Sequence, residues 1–365
     1  MGFKCGIVGL PNIGKSTLFN AMTQAGSAEA ANYMFSTVQP NIGDIAVPDP
    51  RLGKLAEIAK SAKIVPTRIG FVDIAGLVRG ASKGEGLGNQ FLAAIRESDA
   101  ILHVLRCFEG GGVTHVESRI DPVSDAETVE TELMLSDLES LERRIVPIEK
   151  RAKTGDKEAI LPYQLMSKAL ALLHEGQPAR QAQLTPEERE PYRQLGLLTQ
   201  KPVLYVCNVD EASAANGNDH STRVAALAKQ QGAGCIAIAA RIEEELTQLP
   251  AAERDEFLAS LGLSEPGLDR LIRAGYSLLG LITFFTAGPK ESRAWTVEKG
   301  ARAPRAASVI HSDFEKGFIR AEVIKYGDYV AFNGEAGARE AGRFRLEGKE
   351  YVVQDGDVMH FRFNV

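Results

Sequence analysis

Residues 9–17 read GLPNIGKST and constrain the fold more than any other stretch of the chain. The pattern G-x-x-x-x-G-K-[ST] has meaning only between a strand and a helix. Both flanks are present: residues 3–9, FKCGIVG, read as a buried strand, and residues 16–25 read as a helix. Gly9 and Gly14 let the backbone curl so that its N–H groups face an anion, and the helix that follows adds its N-terminal dipole. In this frame Asn12, Ile13 and Gly14 wrap a phosphate chain and Lys15 reaches its β- and γ-phosphates. The Ser16 hydroxyl ligates Mg²⁺, and Thr17 lies near the α-phosphate. The lysine excludes the G-x-G-x-x-G loop of dinucleotide-binding folds.

Four further apolar runs, IGFVDIAG, AILHVLRCF, PVLYVCN and GCIAIAA, are short and rich in Val and Ile. Continuous apolar runs separated by helical stretches predict a mostly parallel sheet buried on both faces. Residues 41–47, NIGDIAV, fit a strand beside 69–73. Between 126 and 199 the pattern changes. Val129, Leu133, Leu138, Leu141, Ile145 and Ile148 recur at helical spacing among many charges. A second helix is expected around 158–174, and a third after the N-cap candidate Thr185, with Pro186 and Glu187. Two readings stay open for this insertion: a coiled-coil arm that recruits a partner, or a helical subdomain packed on the core. From Leu281 onward short alternating strands and turn dipeptides predict a small α+β domain.

The segment DIAG, residues 73–76, ends a strand. Asp73 there holds the magnesium through water, and the Gly76 N–H faces the γ-phosphate. Thr37, in the loop FSTVQPN, is the candidate that completes the metal shell from a mobile switch segment. Gly80, Gly84, Gly86 and Gly88 suit a second segment that changes conformation with nucleotide. Leu77 stands where Ras-like proteins carry the glutamine that orients the attacking water. Leucine cannot hydrogen-bond to water, so hydrolysis is slow or another group positions the nucleophile. His115, in the glycine-rich loop CFEGGGVTHVES, is the candidate for a catalytic or gating role; a surface loop histidine is the competing reading. His103, inside ILHVLR, reads as a satisfied core histidine.

Residues 208–211 read NVDE after an apolar strand, where guanine readers carry Asn-Lys-x-Asp. The aspartate of that motif accepts two hydrogen bonds from guanine, and the lysine packs across the ring. Glu211 is one methylene longer, and Val209 removes the lysine stem. Each lost charge-assisted bond is worth roughly 1.5–3 kcal/mol, so a strict preference for GTP is not expected. Asn208 is placed to bond the N7 or N6 edge of the purine.

The succession GLPNIGKST, a loop threonine, DIAGLVRGASKGEGLGNQF and NVDE closely resembles the YchF family, the Obg-like ATPases among the translation-factor-related P-loop proteins. RAGYSLLGLITFFTAGPKESRAWT and IHSDFEKGFIRAEVI resemble that family's junction and C-terminal TGS domain, so the resemblance covers nearly the whole chain. It implies a G domain over 1–125 and 200–280, a coiled-coil insertion over 126–199 and a TGS domain over 281–365. It further implies an ATPase with a hydrophobic residue in place of the catalytic glutamine, associated with ribosomes or their large subunit. By position, Asn12 matches the loop asparagine that helps hold K⁺ in related potassium-stimulated enzymes. Ser36 stands where family members often carry cysteine, which puts thiol-based regulation there in doubt.

The C-terminal part places Arg293, Lys299, Arg302, Arg305, Lys316 and Arg320 among Trp295, Phe314 and Phe318. Basic and aromatic side chains together suit ribosomal RNA; aromatics filling a small core under a solvated face is the alternative. A net charge of −6 argues against generic nucleic-acid binding, and no DNA partner is expected. No run of about 18 apolar residues suggests a membrane span, and the first ten residues lack the features of a secretion leader. Cys5, Cys107, Cys207 and Cys235 form no C-x-x-C pair and read as buried reduced thiols of a cytoplasmic protein. The leading expectation is a ribosome-associated ATP switch that cycles between ATP and ADP. A nucleotide-regulated adaptor in stress signalling, whose hydrolysis is incidental, is the competing one.

Overall fold

The computed structural model describes residues 3–30, 42–74, 87–109 and 120–364. The chain divides into two compact units, one of Met1–Asp44 with Gly70–Leu271, the other of Ile45–Ile69 with Ile272–Val365. The described strands are β1 (Lys4–Val8), β2 (Ile42–Ala46), β3 (Ile64–Val65), β4 (Arg68–Asp73), β5 (Ala100–Arg106), β6 (Val203–Asn208) and β7 (Gly234–Ile238). They continue with β8 (Leu281–Ala287), β9 (Ser292–Glu298), β10 (Phe318–Lys325), β11 (Arg345–Glu347) and β12 (Asp357–Phe363). The helices used below are α1 (Lys15–Ala30), α2 (Pro50–Ala59), α3 (Leu87–Arg96), α4 (Pro122–Lys153), α5 (Lys157–His174), α6 (Pro186–Arg193), α7 (Asp219–Gln231) and α8 (Ala240–Gln248).

One sheet runs in the order β2-β4-β1-β5-β6-β7. β1 pairs in parallel with β4 and β5, β5 with β6, and β6 with β7. Every residue of β5 and β6 is buried, as their uninterrupted apolar sequences require of strands covered on both faces. β2 lies next to β4, as the sequence of 41–47 led us to expect. The parallel run has a direct functional consequence. It brings the carboxyl ends of β1, β4, β6 and β7, and the segments that follow them, to a single edge, where ligands of open α/β sheets bind.

Between β5 and β6 the chain forms a helical hairpin. Asp121 caps α4 and Pro122 occupies its first position, so the helix starts before the apolar stripe that signals it. Leu141 of the stripe is fully buried against Leu165, Met166, Ala169 and Leu173 of α5, with Ile145 and Ile148 packed alongside. The α6 capping box uses Glu188, whose carboxylate accepts from the Thr185 N–H at 3.0 Å. The hairpin therefore has a core of its own and is also rooted in the same unit as the parallel sheet. Asp137 of α4, 1% exposed, accepts from the N–H groups of Leu198 and Thr199 at 2.8 Å and from the Thr199 hydroxyl at 2.7 Å, just before β6. Burial raises its pKa, against those three hydrogen bonds. Glu130 of α4 pairs with Arg180 at 2.9 Å, and Arg180 reaches Gln231, which accepts from the Tyr205 hydroxyl of β6.

The second unit holds a mixed sheet in the order β11-β10-β12-β8-β9-β3. Ala303, Ala306 and Ala307 of the helix Ala303–Ile310 cover one face with Phe284, Val323 and Phe361. Leu52 and Leu55 of α2 cover the other with Phe285, Ala294 and Val358. Residues 45–69, which precede the Asp73 segment in the chain, thus belong to this unit. Their apolar face gave the sequence reading no indication of which sheet it would cover. Among the described residues no helix is long and apolar enough to cross a membrane.

Candidate functional site

The phosphate loop leaves β1 at Val8 and enters α1 at Lys15. Its curl needs three residues with positive φ: Gly9 at 157°, Asn12 at 63° and Gly14 at 87°. A side chain at position 9 would run into Ile13 and the Val104 carbonyl, and one at 14 into Asn208 Nδ2. Both glycines therefore serve close approach as well as backbone conformation. Ile13, 1% exposed, fixes the loop to the core, while Ser16 is exposed and Thr17 half-buried.

Lys15 is 8% exposed, and its ammonium lies 2.6 Å from Asp73 Oδ1 while also donating to the Ile74 carbonyl. The two groups that the sequence assigned to the phosphates and the metal thus meet, although 58 residues separate them. The parallel β1–β4 register, Ile7 opposite Asp73, sets this meeting. It leaves a cation and a carboxylate side by side at the loop, the two kinds of group that P-loop sites direct at phosphate oxygens and at a metal ion.

Asn208 ends β6 and is 6% exposed. Its carboxamide donates to the Ile13 carbonyl at 2.9 Å and accepts from the Ala240 N–H at 3.0 Å. Among the described residues, one N–H and one lone pair remain for a ligand. Asn208 is thus a strut that ties the phosphate loop to the start of α8, a role the sequence reading did not give it. Val209 is buried at 4% and its N–H donates to the Ile238 carbonyl, so its side chain packs into the protein. Glu211 is exposed at the first position of a short 3-10 turn, which Asp210 caps by accepting from the Ser213 N–H at 3.0 Å. The segment 238–240 was also missed. Its only sequence signal was the apolar run GCIAIAA, and its place beside Asn208 follows from the β6–β7 pairing, Asn208 opposite Ile238.

Thr37, Gly76, Leu77 and His115 lie outside the described residues. His103 is buried on β5 as expected, its ring 5.6 Å from that of Tyr205. Its Nε2, however, has no hydrogen-bond partner among the described residues. Burial, helped by the Arg180 charge, lowers its pKa to about 3, so it stays neutral. All four cysteines are free, and burial pushes the Cys5 thiol up to about 12.

The C-terminal basic and aromatic residues separate by role. Phe318 is 5% exposed in the core, Trp295 stacks on Phe284, and Phe314 stacks on Phe363 at 3.7 Å. These aromatics fill the domain, as the alternative reading had it. The cations remain at the surface. Arg293 lies over Trp295 at 4.0 Å, and Arg302 and Arg305 are exposed on or beside the helix Ala303–Ile310, Arg302 with Glu350 at 2.7 Å. Arg320 shares the alternate sheet face with Glu322, opposite the one that Ala321 and Val323 give to that helix. The six cations are therefore not one patch.

A family model described as a 50S ribosome-binding GTPase matches residues 4–137. The YchF-GTPase_C model, described as a protein of unknown function, matches residues 281–364. The "Ribosome-binding ATPase YchF" of Haemophilus influenzae is 59% identical over 365 residues, all of both chains. Proteins of the same name from Bacillus subtilis and Escherichia coli O157:H7 are 54% and 53% identical, again over the full length of each chain. The structure of the Schizosaccharomyces pombe YchF GTPase matches with a TM-score of 0.89 at 37% identity, covering 99% of this chain and 98% of that one.

Proposed function

The chain belongs to the YchF family, and from that premise we propose that it is a ribosome-associated switch that binds ATP with Mg²⁺, hydrolyses it slowly and engages ribosomes in the ATP-bound form. The observation that carries the reading is the meeting of Lys15 and Asp73 at the loop that Asn208 ties to α8. A triphosphate laid along the N–H groups of residues 12–17 has Lys15 at its β- and γ-phosphates. Ser16 Oγ and the Asp73 carboxylate are hard oxygen donors of the kind Mg²⁺ takes, so the residues present suit the ion. Ser16 would hold it directly, Asp73 through water, and Thr37 would complete the set. The ion neutralises charge on the phosphates.

Asn12 sits in the loop with its side chain exposed and would supply a carboxamide oxygen to K⁺. Base choice rests with Glu211, whose carboxylate has no partner among the described residues to hold it away from a purine, and with the remaining N–H of Asn208. The buried Val209 contributes no stem to cover the ring, so guanine loses both features that normally select it. Leu77 cannot orient water, and His115 would take that role or gate it. The relatives' names support the ATPase and ribosome assignments, and a ribosome partner supports a cytoplasmic location. Ribosomal RNA would meet the exposed C-terminal cations of a TGS domain.

Titration calorimetry with Mg²⁺ and single-turnover hydrolysis test the enzymatic half. ATP should bind at least as tightly as GTP, and His115→Ala should slow or deregulate turnover while ATP affinity holds. A tenfold preference for GTP sinks the base assignment, and unchanged hydrolysis in the His115 variant removes that residue from the mechanism.

A further inference from the structure

The charge on α4 is segregated along its length. Residues 122–142 carry Asp125, Glu127, Glu130, Glu132, Asp137, Glu139 and Glu142 and no lysine or arginine. Residues 143–157, the distal end of the helix and the turn into α5, carry Arg143, Arg144, Lys150, Arg151, Lys153 and Lys157 against Glu149 and Asp156. The 32-residue helix spans about 48 Å at 1.5 Å per residue. The helix dipole favours acids at the start and bases at the end, but only over the first and last turn. It does not account for a carboxylate-only stretch of 21 residues.

We propose that the tip of the α4–α5 hairpin is a contact surface for the phosphate backbone of ribosomal RNA, an inference that rests on the ribosome reading above and names the surface used. Lys150, Arg151, Lys153 and Lys157 are all exposed. Arg151 is shared with Asp156 at 2.7 Å and Lys153 with Glu149 at 2.7 Å. Lys150 and Lys157 have no carboxylate partner among the described residues. Exposed pairs of this kind contribute little to stability, so the cations are available to a stronger anion. Arg144 is different: it donates to the Leu195 carbonyl at 2.8 Å and belongs to the hairpin's own packing.

The two halves of α4 then have complementary effects. The acidic root, with Glu127, Glu139 and Glu142 exposed, repels a polyanion, while the tip attracts it. RNA is engaged end-on, and a chain with a net charge of −6 avoids generic binding along its surface. The tip also exposes Val146, Ile160 and Leu161, at 49%, 40% and 38%, which is what a protein partner would use instead.

The test is the double variant Lys150→Glu with Lys157→Glu, two exposed side chains with no hydrogen bond or ion pair among the described residues. Binding to purified ribosomes and to naked ribosomal RNA is titrated from low to high salt. Each phosphate contact contributes roughly 0.7–0.9 to the slope of log K against log salt, so the variant should bind more weakly and with a slope flatter by about 1.5. ATPase activity of the free protein and the melting temperature should be unchanged. A slope and affinity equal to wild type on both ligands overturn the proposal. So does weaker ribosome binding by Ile160→Ser with Leu161→Ser while the lysine variant keeps the wild-type affinity and salt slope, which assigns the tip to a protein partner. Wild-type protein that fails to bind ribosomes in every nucleotide state refutes the ribosome reading instead, and the naked-RNA titration still judges the tip.

Discussion

Replacing Asn208 by alanine separates a base-reading side chain from a structural strut. The carboxamide is buried and satisfies two main-chain groups, the Ile13 carbonyl and the Ala240 N–H. Alanine strands both. A buried polar group left without its partner costs about 1–3 kcal/mol, so the pair predicts a loss of about 2–6 kcal/mol. For a unit of this size each kcal/mol lowers Tm by roughly 2–4 °C. The damage should also reach the phosphates, because Ile13 is two residues from Lys15 and its carbonyl orientation sets the curl of the loop. Differential scanning calorimetry gives the first effect, and titration with inorganic pyrophosphate, which has no base, gives the second. Both stability and pyrophosphate affinity should fall. Asn208→Asp keeps an acceptor for Ala240 but loses the donor to Ile13, so it too should weaken pyrophosphate. A variant that loses ATP affinity while Tm and pyrophosphate affinity hold would refute the strut and leave Asn208 as a base reader only.

Gly14→Ala places a Cβ against Asn208 Nδ2 at a residue whose φ is 87°; nucleotide affinity should fall at least tenfold, as read by calorimetry. His103 has a folded-state pKa of about 3 against an ordinary 6.5, so between those values the unfolded chain binds the extra proton. Its contribution to stability is whole above pH 6.5 and is lost as pH falls toward 3; denaturant titrations at pH 7 and pH 5 should differ less in His103→Phe than in wild type. Glu211→Asp shortens the exposed carboxylate by one methylene and should raise relative GTP affinity; an unchanged GTP-to-ATP ratio removes Glu211 from base reading. Arg302→Glu with Arg305→Glu should weaken co-sedimentation with ribosomes and leave the free ATPase intact, and undiminished sedimentation excludes that face of the C-terminal unit.

The phosphate loop was legible because its chemistry is local: Gly9, Gly14, Lys15 and Ser16 fall within eight residues, bounded by a strand and a helix. Asp73 was legible for a similar reason, since a strand end before Ile74-Ala75-Gly76 fixes where the carboxylate points. Asn208 was found as a residue but not as a strut, because its partners lie 195 and 32 residues away and only the strand order reveals them. The assignment of residues 45–69 to the C-terminal unit was hidden for a related reason. Leu52 and Leu55 mark α2 as amphipathic, but the pattern does not say which sheet the apolar face covers. Trp295 and Phe318 misled in the opposite direction. Next to arginines they look like stacking platforms, and burial, which spacing does not encode, puts Phe318 in the core and packs the half-buried Trp295 against it.

Co-sedimentation of the wild-type protein with ribosomes, compared between a non-hydrolysable ATP analogue and ADP, tests the switch most directly. The γ-phosphate would be contacted by the Gly76 N–H and, through Mg²⁺, by Thr37, which orders loops that a partner can recognise. Ribosomes should therefore bind the ATP-loaded form more tightly and, by linkage, tighten ATP binding by the same factor. Equal sedimentation in the two nucleotide states would contradict the switch.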